Sequence, residues 1–124
     1  MIERLVHALQ ALAAPAEVPL ARYPAFVVKA DELALDYTDA LLLITDCPQV
    51  SLTPEQQAAI EAVDQLLDRM SGKQNAALWT EAALRTAPAW QEVRRLAREG
   101  LLALGQPVDL PPPSNAVYIR GRAI

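Results

Sequence analysis

Prolines decide where the helices of this chain begin and end. Pro15 closes an N-terminal window, Pro54 and Pro88 stand where helices open, and Pro107 followed by Pro111-Pro112-Pro113 shuts the last one. Inside a helix a proline removes a backbone donor and clashes with the preceding turn, but at the first helical position its fixed φ is favourable. Between these marks the apolar residues recur at intervals of three and four. Ile2, Leu5, Val6, Leu9, Leu12 and Ala13 make one stripe, and Ala59, Ile60, Val63, Leu66, Leu67 and Met70 a second. Trp90, Val93, Leu96, Ala97, Leu101 and Leu104 make a third. Each is one face of an amphipathic helix. Because only 5% of residues are aromatic, Leu and Ala must fill the interior, which favours helix over sheet.

Local signals sharpen the boundaries. Thr53-Pro54-Glu55-Gln56 has the pattern of a capping box with proline at the first helical position, and Ser71-Gly72 ends the helix that follows. Thr80 caps a short helix through Leu84, and a longer one runs from Pro88 to Leu104 with Gly105 as its stop. Gly100 lies inside that helix, where glycine costs about 1 kcal/mol against alanine, and suggests a close helix contact. Asp31 to Ile44 reads as a helix whose inner face is Leu33, Tyr37, Ala40, Leu41 and Ile44, with Leu42 and Leu43 off that face. The rival reading makes Phe26–Lys29 and Leu41–Thr45 two short strands. Residues 15–30, with Pro15, Pro19 and Pro24, form a crossing segment anchored by Tyr23, Phe26, Val27 and Val28. The expected architecture is a mostly α, single-domain bundle of four or five helices over 1–105, then a proline-rich extended C-terminal arm over 106–124. Short strands at 25–29 and 117–120 are the allowed exceptions.

At 124 residues the chain is long enough to bury a core without covalent staples. Cys47 is the sole cysteine, so no internal disulfide forms and the fold does not depend on an oxidising compartment. Its longest apolar run, Ala40 to Ile44, is far short of the roughly 20 residues of a membrane span. Glu3, His7 and Gln10 interrupt the first stripe and read against a secretory signal, so a cytoplasmic location is expected. A pI near 4.9 argues against nucleic acid as partner.

Charge is unevenly spread. Between Asp31 and Asp46 the sequence holds Asp31, Glu32, Asp36, Asp39 and Asp46 and no base, and the whole net charge of −4 belongs to residues 1–52. On a helix Glu32, Asp36 and Asp39 share a narrow arc with Leu43, beside Leu42. Acid with adjacent exposed leucine suits a basic partner, which the charge attracts and the leucine holds. A solvated flank is the plainer reading of the same residues. So is neutralisation by Arg94, Arg95 and Arg98, the basic stripe of the last helix, where Glu99 also offers Arg95 a partner four residues on.

Two alternatives stand beside binding. Glu32, Asp36 and Asp39 are carboxylates of the kind a divalent metal takes, provided a second helix contributes. Glu61, Asp64 and Asp68 have a spacing similar to the metal-binding helices of all-α nucleotide pyrophosphatases, which would imply a metal-dependent hydrolase. However, the paired Glu-rich motif of those enzymes is missing, and phase turns the three away from their helix's apolar stripe. The other alternative is a structural domain that dimerises through the C-terminal arm. Covalent chemistry has little to draw on: His7 is the only histidine, Cys47 has no local base, and there is no serine elbow, glycine-rich loop or zinc spacing. No cofactor is implied. In size and charge the chain is similar to toxin-neutralising immunity proteins, without a shared motif. That similarity implies a stoichiometric inhibitor or regulator using Glu32, Asp36, Asp39, Leu42 and Leu43.

Overall fold

The computed structural model describes residues 2–25 and 27–111. They form six α-helices: α1 (Ile2–Ala13), α2 (Glu17–Arg22), α3 (Lys29–Thr45), α4 (Pro54–Arg69), α5 (Glu81–Thr86) and α6 (Pro88–Ala103). A 3₁₀ segment, Lys73–Trp79, links α4 to α5. The fold is all-α, and none of the described residues is in a strand. Lys29 opens α3 where a strand at 25–29 was the alternative, and 117–120 lies outside the described residues. No helix among them is long and apolar enough to cross a membrane.

The capping box forms as its sequence dictates: Gln56 N–H donates to Thr53 Oγ1 at 3.1 Å, and Thr53 N–H to Gln56 Oε1 at 3.0 Å. The Gln56 side-chain amide also donates to the Ala103 carbonyl at 3.1 Å, which fixes the start of α4 against the end of α6. Thr80 caps α5 in the same manner, accepting from Ala83 N–H at 3.1 Å. The crossing segment differs from expectation by containing a helix. Pro19 falls in the first turn of α2, where its missing N–H has no intrahelical acceptor to lose. Lys29 then reaches back to donate to the Leu20 carbonyl at 2.7 Å, holding α2 against the start of α3.

The core is organised around α1. It packs between α6 and α3, and α4 also packs against α6. Consequently α1 is buried on nearly every side, with Ala8 and Ala11 as well as Leu5, Leu9 and Leu12 inside. Even Gln10 is buried, its amide donating to the Pro107 carbonyl at 3.2 Å. That contact ties residues 106–111, which have no regular structure, back onto the bundle.

Gly100 faces Leu9 where α6 meets α1, but a Cβ added there would meet the Leu9 methyls at 3.5 and 3.6 Å, an ordinary van der Waals separation. The contact therefore does not require glycine. Gly100→Ala is expected to raise the unfolding free energy by up to about 1 kcal/mol through helix propensity. Urea denaturation checks this, and a lower midpoint would show that the helix pair has no room to relax.

Candidate functional site

Helix α3 forms because its inward residues Leu33, Tyr37, Ala40 and Ile44 recur at four, three and four, and all are buried. Tyr37 fixes its rotation, donating its hydroxyl to the Ile60 carbonyl of α4 at 2.7 Å. Burial pushes the Tyr37 phenol well above its ordinary value, and the Asp64 charge adds to the effect. With the helix pinned in this way, the opposite stripe must face solvent. It repeats the inner spacing two residues later: Leu35, Asp39, Leu42 and Asp46. All four are exposed, Leu35 at 51% and Leu42 at 56%, with Leu43 beside them at 39%.

The five residues picked out in sequence divide into two groups. Asp39, Leu42 and Leu43 are exposed. Glu32 and Asp36 are half-buried, and Asp36 is turned toward the crossing segment. Asp36 accepts a hydrogen bond from the Tyr23 hydroxyl at 2.5 Å, and Glu32 is likewise not free. Burial raises the Asp36 carboxyl above its usual value, while the Tyr23 hydroxyl and the nearby Arg22 charge act in the other direction.

Two of the three arginines of α6, Arg94 and Arg95, are engaged elsewhere. Arg95 pairs with Glu92 at 2.6 Å and Glu99 at 2.8 Å on its own helix, and Arg94 donates to the Leu84 carbonyl at 3.0 Å. Among the described residues no salt bridge reaches Asp31, Asp39 or Asp46.

Asp36 gives the fold a testable pH dependence. Its folded form holds a proton more tightly than the unfolded chain, so unfolding releases protons and stability falls as pH rises from the ordinary aspartate value through the raised one. Acidification toward the ordinary aspartate value should therefore raise the Asp36 contribution to Tm. In Asp36→Asn, which keeps an acceptor for Tyr23, the rise should be smaller; an equal rise in both proteins would contradict this assignment.

A second feature lies around the edge of the stripe. A cleft of about 440 Å³ opens between α3 on one side and α4 with the 3₁₀ segment on the other. Asp31, Ala34, Leu35 and Thr38 make the first wall, and Asp64, Leu67, Asp68 and Ser71 the second. Gly72 and Trp79 complete the lining. The positive φ of Gly72, 105°, turns the chain out of α4 at this point, a conformation natural to glycine. Trp79 is held from two directions: its indole N–H donates to the Met70 carbonyl at 2.8 Å, and its ring stands edge-on to that of Trp90 at 5.4 Å.

Phase in the sequence turned Asp64 and Asp68 away from the bundle, but the structure brings them to this cleft. Ala59 and Leu66 are only half-buried, so the inward centre of α4 lies on Ile60, Val63 and Leu67, about 30° closer to Asp64 than the full apolar stripe implies. Glu61 remains exposed and accepts from Gln57 at 3.0 Å. No group of three His, Cys, Asp or Glu among the described residues is placed to hold a metal ion, so Glu32, Asp36 and Asp39 do not converge as the metal alternative requires. Cys47 is half-buried, its thiol donating to Gln49 Oε1 at 3.0 Å. Comparison with protein-family models, curated proteins and solved structures finds no match to this chain.

Proposed function

We propose that this chain is a small acidic protein that acts by binding a basic protein, as a stoichiometric inhibitor or regulator of the immunity-protein kind. The binding face is the outer side of α3. The observation that carries the reading is the alternation of exposed leucine and carboxylate along Leu35, Asp39, Leu42 and Asp46, on a helix whose opposite side is locked in the core. Leucines in this setting supply contact area that a solvated acidic flank does not need. The carboxylates around them speed the encounter with a positive surface and disfavour acidic partners. Leu43 extends the apolar centre, and Glu32 and Asp36 contribute charge at its inner margin while bonding to the chain's own residues.

Affinity capture from native extract tests this, with the wild-type chain and the Asp39→Lys/Leu42→Asp variant as paired baits. A basic protein retained by the first and lost from the second is expected. Identical captures by the two baits would remove α3 as the binding face.

A further inference from the structure

We infer that the cleft between α3 and α4 receives an arginine side chain of the partner protein; this rests on the reading of α3 as a partner-binding face, because Leu35 belongs to both the exposed stripe and the cleft wall. The argument comes from what the lining offers and what it has already spent. The Thr38 hydroxyl donates to the Ala34 carbonyl at 3.1 Å and the Ser71 hydroxyl to the Leu67 carbonyl at 3.1 Å. The Trp79 indole N–H is committed to Met70. Every side-chain donor lining the cleft is therefore in use, and what its side chains still offer is acceptors: three carboxylates and two hydroxyl oxygens. Such a lining selects a group that donates several hydrogen bonds and accepts none. Guanidinium has five N–H donors and no acceptor, and its planar fork is the side-chain group best suited to carboxylates.

Size and the apolar components agree. A 440 Å³ space is ample for one long side chain, with Leu35 and Leu67 to cover its aliphatic stem. Trp79 supplies an aromatic surface of the kind on which guanidinium stacks, and Trp90 holds that ring in place. Partial desolvation and the neighbouring Glu32 charge raise the Asp31 carboxyl, and a cation beside it would act in the other direction. Arginine is among the residues that most often carry the binding energy of an interface, seated in a desolvated pocket.

The test is a ¹H–¹⁵N NMR titration of the full chain with Nα-acetyl-arginine methylamide, and in parallel with its neutral isostere, the citrulline derivative. The arginine probe should give saturable millimolar shifts at Asp31, Asp64 and Asp68 and at the Trp79 indole N–H. The citrulline probe should bind at least tenfold more weakly. Asp64→Asn/Asp68→Asn should weaken arginine binding at least tenfold with the spectrum otherwise folded, and Asp31→Asn on the facing wall is an independent second variant. Absent saturation, equal binding of the two probes, or variants that bind as tightly as wild type would overturn the assignment. Loss of the cleft with partner capture still dependent on Leu42 removes only this inference. Arginine binding with capture indifferent to α3 keeps the cleft and removes the stripe.

Discussion

Trp90→Ala is expected to cost about 3–5 kcal/mol of unfolding free energy, enough to leave a domain of this size near the edge of folding. Trp90 is the largest fully buried side chain, with 1% of its surface exposed. Truncation removes apolar area and also opens a cavity that its close-packed neighbours relax into only partly. It further leaves the Leu78 carbonyl without the indole N–H that donates to it at 2.6 Å. Trp90→Phe separates these effects: it keeps most of the bulk, loses the hydrogen bond, and should cost only about 1–2 kcal/mol. Urea denaturation read by far-ultraviolet circular dichroism gives both values. A cost below about 1 kcal/mol for Trp90→Ala would mean that the packing around α6 is misassigned. The residue also matters to the candidate site, because Trp79 stands edge-on to it and lines the cleft.

The second large effect concerns binding. Once a partner is in hand, Asp39→Lys with Leu42→Asp should weaken it about 100-fold, or about 2.7 kcal/mol. The two substitutions act on different parts of the process. Asp39 is exposed, so its reversal should lower the association rate and the salt dependence of that rate. Leu42, at 56% exposure in the free chain, has most of its area left to bury, so placing a carboxylate there should raise the dissociation rate. Stopped-flow or surface-based kinetics of the two single variants would separate these contributions. Equal rates for wild type and both variants would contradict the proposed face. Neither substitution touches the core residues of α3, so thermal stability should stay near that of wild type.

Much of the fold was legible because its signals are local. The Thr53–Gln56 box, the proline at the start of α6 and the three-and-four spacing of Leu33, Tyr37, Ala40 and Ile44 each report on a few neighbouring residues. What depends on the neighbours of a helix was not legible. The all-round burial of α1 follows from its position between α3 and α6, and Gln10 becomes a core residue only because the Pro107 carbonyl arrives beside it. Helix α2 was missed because Pro19 looks like a breaker until the first turn is located.

The site shows the same limit. Sequence reading followed charge to Glu32 and Asp36, which are half-buried, with Asp36 bonded to Tyr23 and close to Arg22. Leu35 and Asp46 carry the exposed stripe, and the position directly opposite the core face, two residues on from Leu33 and Ile44, was the signal that pointed to them. Asp64, Asp68 and Trp79 form the cleft through a rotation of α4 that its own apolar pattern, counted without knowing that Ala59 and Leu66 are half-exposed, does not reveal.

Amide hydrogen exchange of the full chain, free and saturated with the captured basic protein, tests most directly whether the outer side of α3 is the working surface. Exchange should slow from Leu35 to Asp46 and across Leu67–Gly72 at the far wall of the cleft. Protection confined to α5 and α6, with α3 exchanging as in the free chain, would contradict it.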